Sequence, residues 1–156
     1  MKEKGQILLE ALIALAVATI ILSALSVAAI TSITNSNFSR DQNLATSYAQ
    51  QGMEILRKQS ESDWASFSAN SSGTYCLGND NMLTSPSGSD CGPNTGTKSY
   101  FIRKVIIDTN STLNCGSTTS VSVVVLWAGG KCSGSSYCHS VNLDSCFTNI
   151  NSLPNP

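Results

Sequence analysis

The chain has 156 residues and a formal net charge of −1, with 12% of its residues charged. A length on this scale makes one globular domain the expectation. The near-neutral balance, with no basic block, gives no support for nucleic-acid binding, which usually leaves a basic footprint, and a surface of hydroxyls and amides is expected rather than one of ion pairs.

The first element is apolar: MKEKGQILLEALIALAVATIILSALSVAAI. From Ile7 to Ile30 only Glu10 is ionisable, and no Pro or Gly interrupts the run after Gly5. Ala and Leu dominate and favour helix. At about 1.5 Å per residue the run spans roughly 36 Å, enough to cross a hydrocarbon core of about 30 Å. Lys2 and Lys4 flank its N-terminal side, which places the rest of the chain outside by the positive-inside rule. A cleaved secretory signal has a shorter apolar core. A plain single-pass anchor explains the length and the lysines but not Glu10. A carboxylate in such a segment is costly and points to a functional role with a partner. If the chain is cut after Gly5, the new α-amino group lies on Gln6, four residues before Glu10. Amine and carboxylate could then neutralise each other, within one helix or between helices offset along a bundle.

Lys4-Gly5, then Gln6-Ile7-Leu8-Leu9-Glu10 and a long Ala/Leu/Ile helix, resembles the class III leader of type IV prepilins and type II secretion pseudopilins. The resemblance is sharp over residues 1–30 and rests on pattern alone beyond them. It implies a leader of residues 1–5, a membrane and filament-core helix of 6–33, and an exported pilin-like domain of 34–156. It further implies cleavage between Gly5 and Gln6 by a prepilin peptidase, N-methylation of Gln6, and a role for Glu10 in assembly with other pilins or pseudopilins. Two departures stand out. Gln6 occupies a position where Phe or Met is more usual, and an N-terminal Gln can cyclise. The helix-kinking Pro of many major pilins is missing. Both point toward a minor, accessory subunit.

After Ile30 the chain turns polar without losing its helical pattern. Ala45, Tyr48, Ala49, Gly52, Ile55 and Leu56 form one stripe at helical spacing. Gln42, Thr46, Gln50, Glu54 and Lys58 fall mostly on the other side. One helix from near Gln6 to near Lys58 is expected, or two joined around Thr34–Ser39, a stretch of poorer helix formers. The small residues Ala45, Ala49 and Gly52 would let a sheet approach the helix backbone closely.

The segment SANSSGTYCLGNDNMLTSPSGSDCGPNTGTKS reads as a long loop, with Pro86 and Pro93 as breakers. Asp80 and Asp90 within it match no calcium loop and read as solvated. Three strands follow. SYFIRKVIID sets Phe101, Arg103, Val105 and Ile107 against Tyr100, Ile102, Lys104 and Ile106. STTSVSVVVLWAG puts Val121, Val123, Val125 and Trp127 on one face. GGKCSGSSYC turns into HSVNLDSCFTNI, where Val141 and Leu143 alternate with polar residues. Short Gly-rich connections predict an antiparallel meander. A long helix on a small antiparallel sheet makes an α+β domain, which is also the plan the resemblance implies.

The six cysteines, Cys76, Cys91, Cys115, Cys132, Cys138 and Cys146, all lie in the polar part. Their even number in an exported, loop-rich region indicates a disulfide framework. Zinc sites usually show closer paired spacings, so no metal is expected, and His139, the one histidine, reads as a surface strand residue. Position suggests Cys76–Cys91 across the long loop, Cys132–Cys138 across the turn, and Cys115–Cys146 where a meander sets the second strand's start beside the last strand's end. No catalytic constellation and no cofactor motif is present. The expected role is therefore structural: a subunit in the cytoplasmic membrane, later in an extracellular or periplasmic filament. The rival reading is a binding module, an anchored exodomain whose disulfide-closed loop contacts a surface, a sugar or DNA.

Overall fold

The computed structural model describes residues 3–70, 72–85, 91, 101–109, 115, 118–129, 132 and 137–149. The chain divides into two compact units, Met1–Arg40 and Asp41–Pro156. The first is helical. Helix α1, Glu3–Ser62, runs through both units without a break. It therefore begins before Gln6 and passes Lys58 by a turn, and the residues around Thr34–Ser39 do not divide it. Hydroxyls inside it bond back to the helix: Thr19 Oγ1 donates to the Ala16 carbonyl at 2.8 Å and Ser26 Oγ to that of Leu22 at 2.9 Å. Thr31 and Thr34 do the same four residues back, so their polar groups are met locally.

In the second unit α1 lies on a five-stranded antiparallel sheet, giving an α+β fold. The strands are β1 (Gly73–Leu77), β2 (Leu83–Thr84), β3 (Phe101–Asp108), β4 (Thr119–Trp127) and β5 (His139–Phe147), in the order β2-β1-β3-β4-β5. The predicted meander is β3-β4-β5. Phe101 pairs with Trp127 and Val105 with Val123, while Val123 pairs in turn with Leu143. One face of β4 is closed: Val121, Val123 and Val125 are fully buried and Trp127 nearly so. These residues meet the helix stripe, where Ala45, Ala49 and Leu56 are fully buried. Met53 joins them, while Tyr48 and Ile55 are partly buried at the edge of the cluster.

Gly52 shows why the stripe is small. A Cβ there would lie 3.1 Å from Val123 Cγ1 and 3.3 Å from Leu77 Cδ2. The sheet thus approaches the helix to a distance that hydrogen, but not an unrelaxed methyl, accommodates.

Two features correct the sequence expectation. The segment read as one long loop contains the β1–β2 hairpin, with Cys76 opposite Thr84 and Leu77 opposite Leu83. A short second helix, α2 (Trp64–Ser68), precedes it, capped by the Asp63 carboxylate, which accepts from the Ser66 amide. Hydrogen bonds from the Ser66 hydroxyl, then from its amide, hold this carboxyl below its usual range. Asp90, Pro86, Pro93 and Tyr100 lie outside the described residues.

Candidate assembly surface and the disulfide-bonded unit

The apolar part of α1 has no cover. Its most apolar window has a mean hydropathy of 2.6 and is 0% buried, and the helix is long and apolar enough to cross a membrane. Ile7, Leu12, Ile20, Leu25 and Ile33 are each more than half exposed. An apolar surface all the way round a helix is what a lipid or multi-helix environment requires. Gln6 and Glu10 are exposed one turn apart and share a helix face by their spacing. The Gly5–Gln6 bond lies inside α1. Cutting there would require the first turns to unwind, which Gly favours by about 1 kcal/mol over Ala.

All three cysteine pairings expected from position are formed: Cys76–Cys91, Cys115–Cys146 and Cys132–Cys138. The first is buried. Cys76 and Cys91 pack with Ile102, flanked by Leu126 and Tyr137, on the sheet face turned away from the helix. This explains why Ile102 is buried although it alternates with the core residues of β3. The second bridge ties Cys115, just before β4, to the exposed Cys146 near the end of β5. The third spans the β4–β5 connection. Sulfur and imidazole ligand atoms of Cys132, Cys138 and His139 fall within 4.8 Å of one another, but both sulfurs are in the disulfide, which leaves no thiolate for a metal. His139 opens β5 half-buried rather than on the open surface, its ring 5.5 Å from that of Trp127.

Arg103 is the residue whose role was not recognised in the sequence. It sits on the helix-facing side of β3 at 1% exposure. Its Nε donates to the Leu77 carbonyl at 3.3 Å, Nη2 to that of Gly78 at 2.6 Å and Nη1 to Gln51 Oε1 at 3.3 Å. No carboxylate among the described residues pairs with it, and burial pulls its pKa down. The guanidinium ties β1 and its turn to α1 through neutral oxygens. That turn is closed by Asn81, at φ 60°, and by Asp80, whose Oδ1 accepts from the Met82 amide at 3.1 Å. Gln59 of α1 donates to the Asn81 carbonyl at 3.2 Å. Asp80 thus has a local structural bond. The signal was legible: a lone Arg in the apolar phase of an alternating strand.

At the end of α1 a cavity of about 250 Å³ is lined by Gln59, Asp63, Ser66, Phe67, Asn70 and Leu83 among others. Its one ring among the described residues, Phe67, is 3% exposed and packs edge-on against Phe147 in the core. No family model, curated protein or solved structure matches the chain.

Proposed function

We propose that the chain is a minor pilin or pseudopilin, cut between Gly5 and Gln6 and built into a type IV pilus or a type II secretion-type filament. The observation that carries this reading is the exposed apolar helix whose lone carboxylate, Glu10, lies one turn beyond a Gly–Gln junction. As a free subunit the helix serves as a single-pass anchor in the cytoplasmic membrane. Lys2 and Lys4 keep its start on the cytoplasmic side, and the disulfide-bonded unit lies in the oxidising compartment beyond. Glu10 then sits near the interface, where a carboxylate is tolerated at lower cost than at the bilayer centre. On assembly the apolar surface meets the helices of other pilins, and Glu10 meets the terminal amine exposed by cleavage. A charge pair in apolar surroundings is favourable only with good geometry and costly when one partner is missing. This makes the pair a register device for helices that otherwise slide on uniform apolar surfaces.

The test is N-terminal mass spectrometry on the protein from its native membrane with the peptidase active. The expected first residue is Gln6, with one added methyl group on its nitrogen. Gly5→Arg is expected to leave Met1–Gly5 attached, because a large charged side chain cannot enter a site that accepts Gly. Retention of Met1–Gly5 by the native chain would remove the support for this function.

A further inference from the structure

We propose that Cys132–Cys138 is a thiol-exchange site, opened by an external dithiol whose thiolate attacks Cys138 and expels Cys132. Three features of the β4–β5 connection converge on this assignment. Cys138 is exposed and Cys132 half-buried, so an incoming thiolate has access to the Cys138 sulfur, and access helps decide which sulfur is attacked. The Gly129 amide donates to Cys132 Sγ at 3.5 Å, inside a tight turn in which the Cys132 amide bonds the Gly129 carbonyl at 3.0 Å. A hydrogen-bond donor aimed at a sulfur stabilises the thiolate that forms there, and a better-stabilised thiolate leaves faster. The His139 imidazole completes the arrangement, with a ring nitrogen within 4.8 Å of both sulfurs. Its position is fixed. The ring lies against Trp127, and a Cβ at Gly129 would stand 2.8 Å from His139 Cδ2, so that glycine is what lets the ring cover the turn.

The other bridges lack this combination. Cys76 and Cys91 are 0% and 6% exposed. Cys115–Cys146 offers an exposed sulfur but closes 31 residues, against 6 for Cys132–Cys138. Short loops close readily even in an unfolded chain, so the fold adds least to the stability of the shortest bridge.

The step balances as follows. The external thiolate forms an S–S bond to Cys138 as the Cys132–Cys138 bond breaks, and the electron pair leaves on Cys132 Sγ, which takes a proton from solvent by way of the neighbouring His139 ring nitrogen. The second thiolate of the same dithiol then attacks its own mixed-disulfide sulfur and releases Cys138. The dithiol ends as a disulfide, and this chain has gained two electrons. The β4–β5 ladder, from Thr119–Phe147 to Trp127–His139, is held by backbone pairing and survives the opening.

The test exposes the oxidised full-length protein in detergent, without denaturant, to limiting dithiothreitol. Alkylation and peptide mapping follow. Cys132 and Cys138 are expected to label first, at a rate about tenfold or more above the other four cysteines. Earlier opening of Cys115–Cys146, or opening of all three bridges together, overturns the proposal. Brief exposure to reduced glutathione gives the direction: glutathione on Cys138 with alkylated Cys132 supports it, and the reverse overturns it. His139→Phe keeps a ring against Trp127 and removes the nitrogens. It is expected to slow opening of Cys132–Cys138 several-fold with Cys115–Cys146 unchanged, whereas equal rates at Cys132–Cys138 would remove the imidazole from the step.

Discussion

At Arg103 the shape of the charged group matters more than its charge. The three acceptors, on Leu77, Gly78 and Gln51, lie around a planar fork. Lysine carries the same charge on a single nitrogen and cannot reach all three. Arg103→Lys is therefore expected to leave a buried carbonyl unmet and to lower stability by about 1.5–3 kcal/mol. Denaturant unfolding of the oxidised protein in detergent measures this, with Gln51→Ala as the milder comparison because Gln51 is exposed. An unchanged midpoint for Arg103→Lys would mean that the β1 turn is held by its own Asn81 and Asp80 geometry. The hydroxyls of Thr19, Ser26, Thr31 and Thr34 differ in kind: each is satisfied inside its own helix, so it adds little cost in an apolar environment.

The contact between α1 and the sheet depends on small side chains at one face of the helix. Ala45, Ala49 and Gly52 form a shallow track against which Val123 and Leu77 rest. Gly52→Val would push two methyl groups into a space already closed at 3.1 Å by Val123 Cγ1. Overpacking of this kind costs about 1–3 kcal/mol. The expected result is a lower thermal midpoint with the three disulfides still formed, because none of the six cysteines lies on the helix. Thermal unfolding followed by near-ultraviolet circular dichroism, with non-reducing peptide mapping, checks both. The same element carries an exposed pair, Glu54 and Lys58 at 3.8 Å. At that exposure it contributes a few tenths of a kcal/mol at most, so removing it is the control that should not matter.

For the molecule as a whole, the proposed function separates anchoring from assembly. Anchoring requires only apolar length, and the helix has that without Glu10. Assembly requires a register. Glu10→Ala is therefore expected to leave membrane insertion and the disulfide-bonded unit intact, and to reduce recovery in sheared filaments relative to total membrane protein by about tenfold, the factor that corresponds to 1.4 kcal/mol. Loss of a buried charge partner costs more than that in a closed apolar setting, so the figure is a floor. Unchanged incorporation would show that the carboxylate does not set the register in this subunit.

The apolar helix with Glu10 inside its apolar run, the strand meander and the presence of a disulfide framework were legible in the residues, while the pairing of the cysteines was expected only through the placement of strands in that meander. The elements follow from short-range patterns, helical spacing in Ala45–Leu56 and alternation in Val121–Trp127, and the framework from six cysteines confined to the polar part. The β1–β2 hairpin was not legible in the same way. Its second strand is two residues long, and its turn is spelled Gly-Asn-Asp-Asn in a segment already crowded with turn residues. What makes it a strand pair is β3, which offers Val105 and Lys104 as partners to Tyr75 and Cys76, and Arg103, which bonds its carbonyls. Those partners lie about thirty residues away in sequence, so only the tertiary structure could supply them. Burial of Ile102 was decided in the same way, since the disulfide and Tyr137 that cover it come from other parts of the chain. Local pattern fixes which face a side chain takes, but what lies opposite that face depends on segments that only folding brings together.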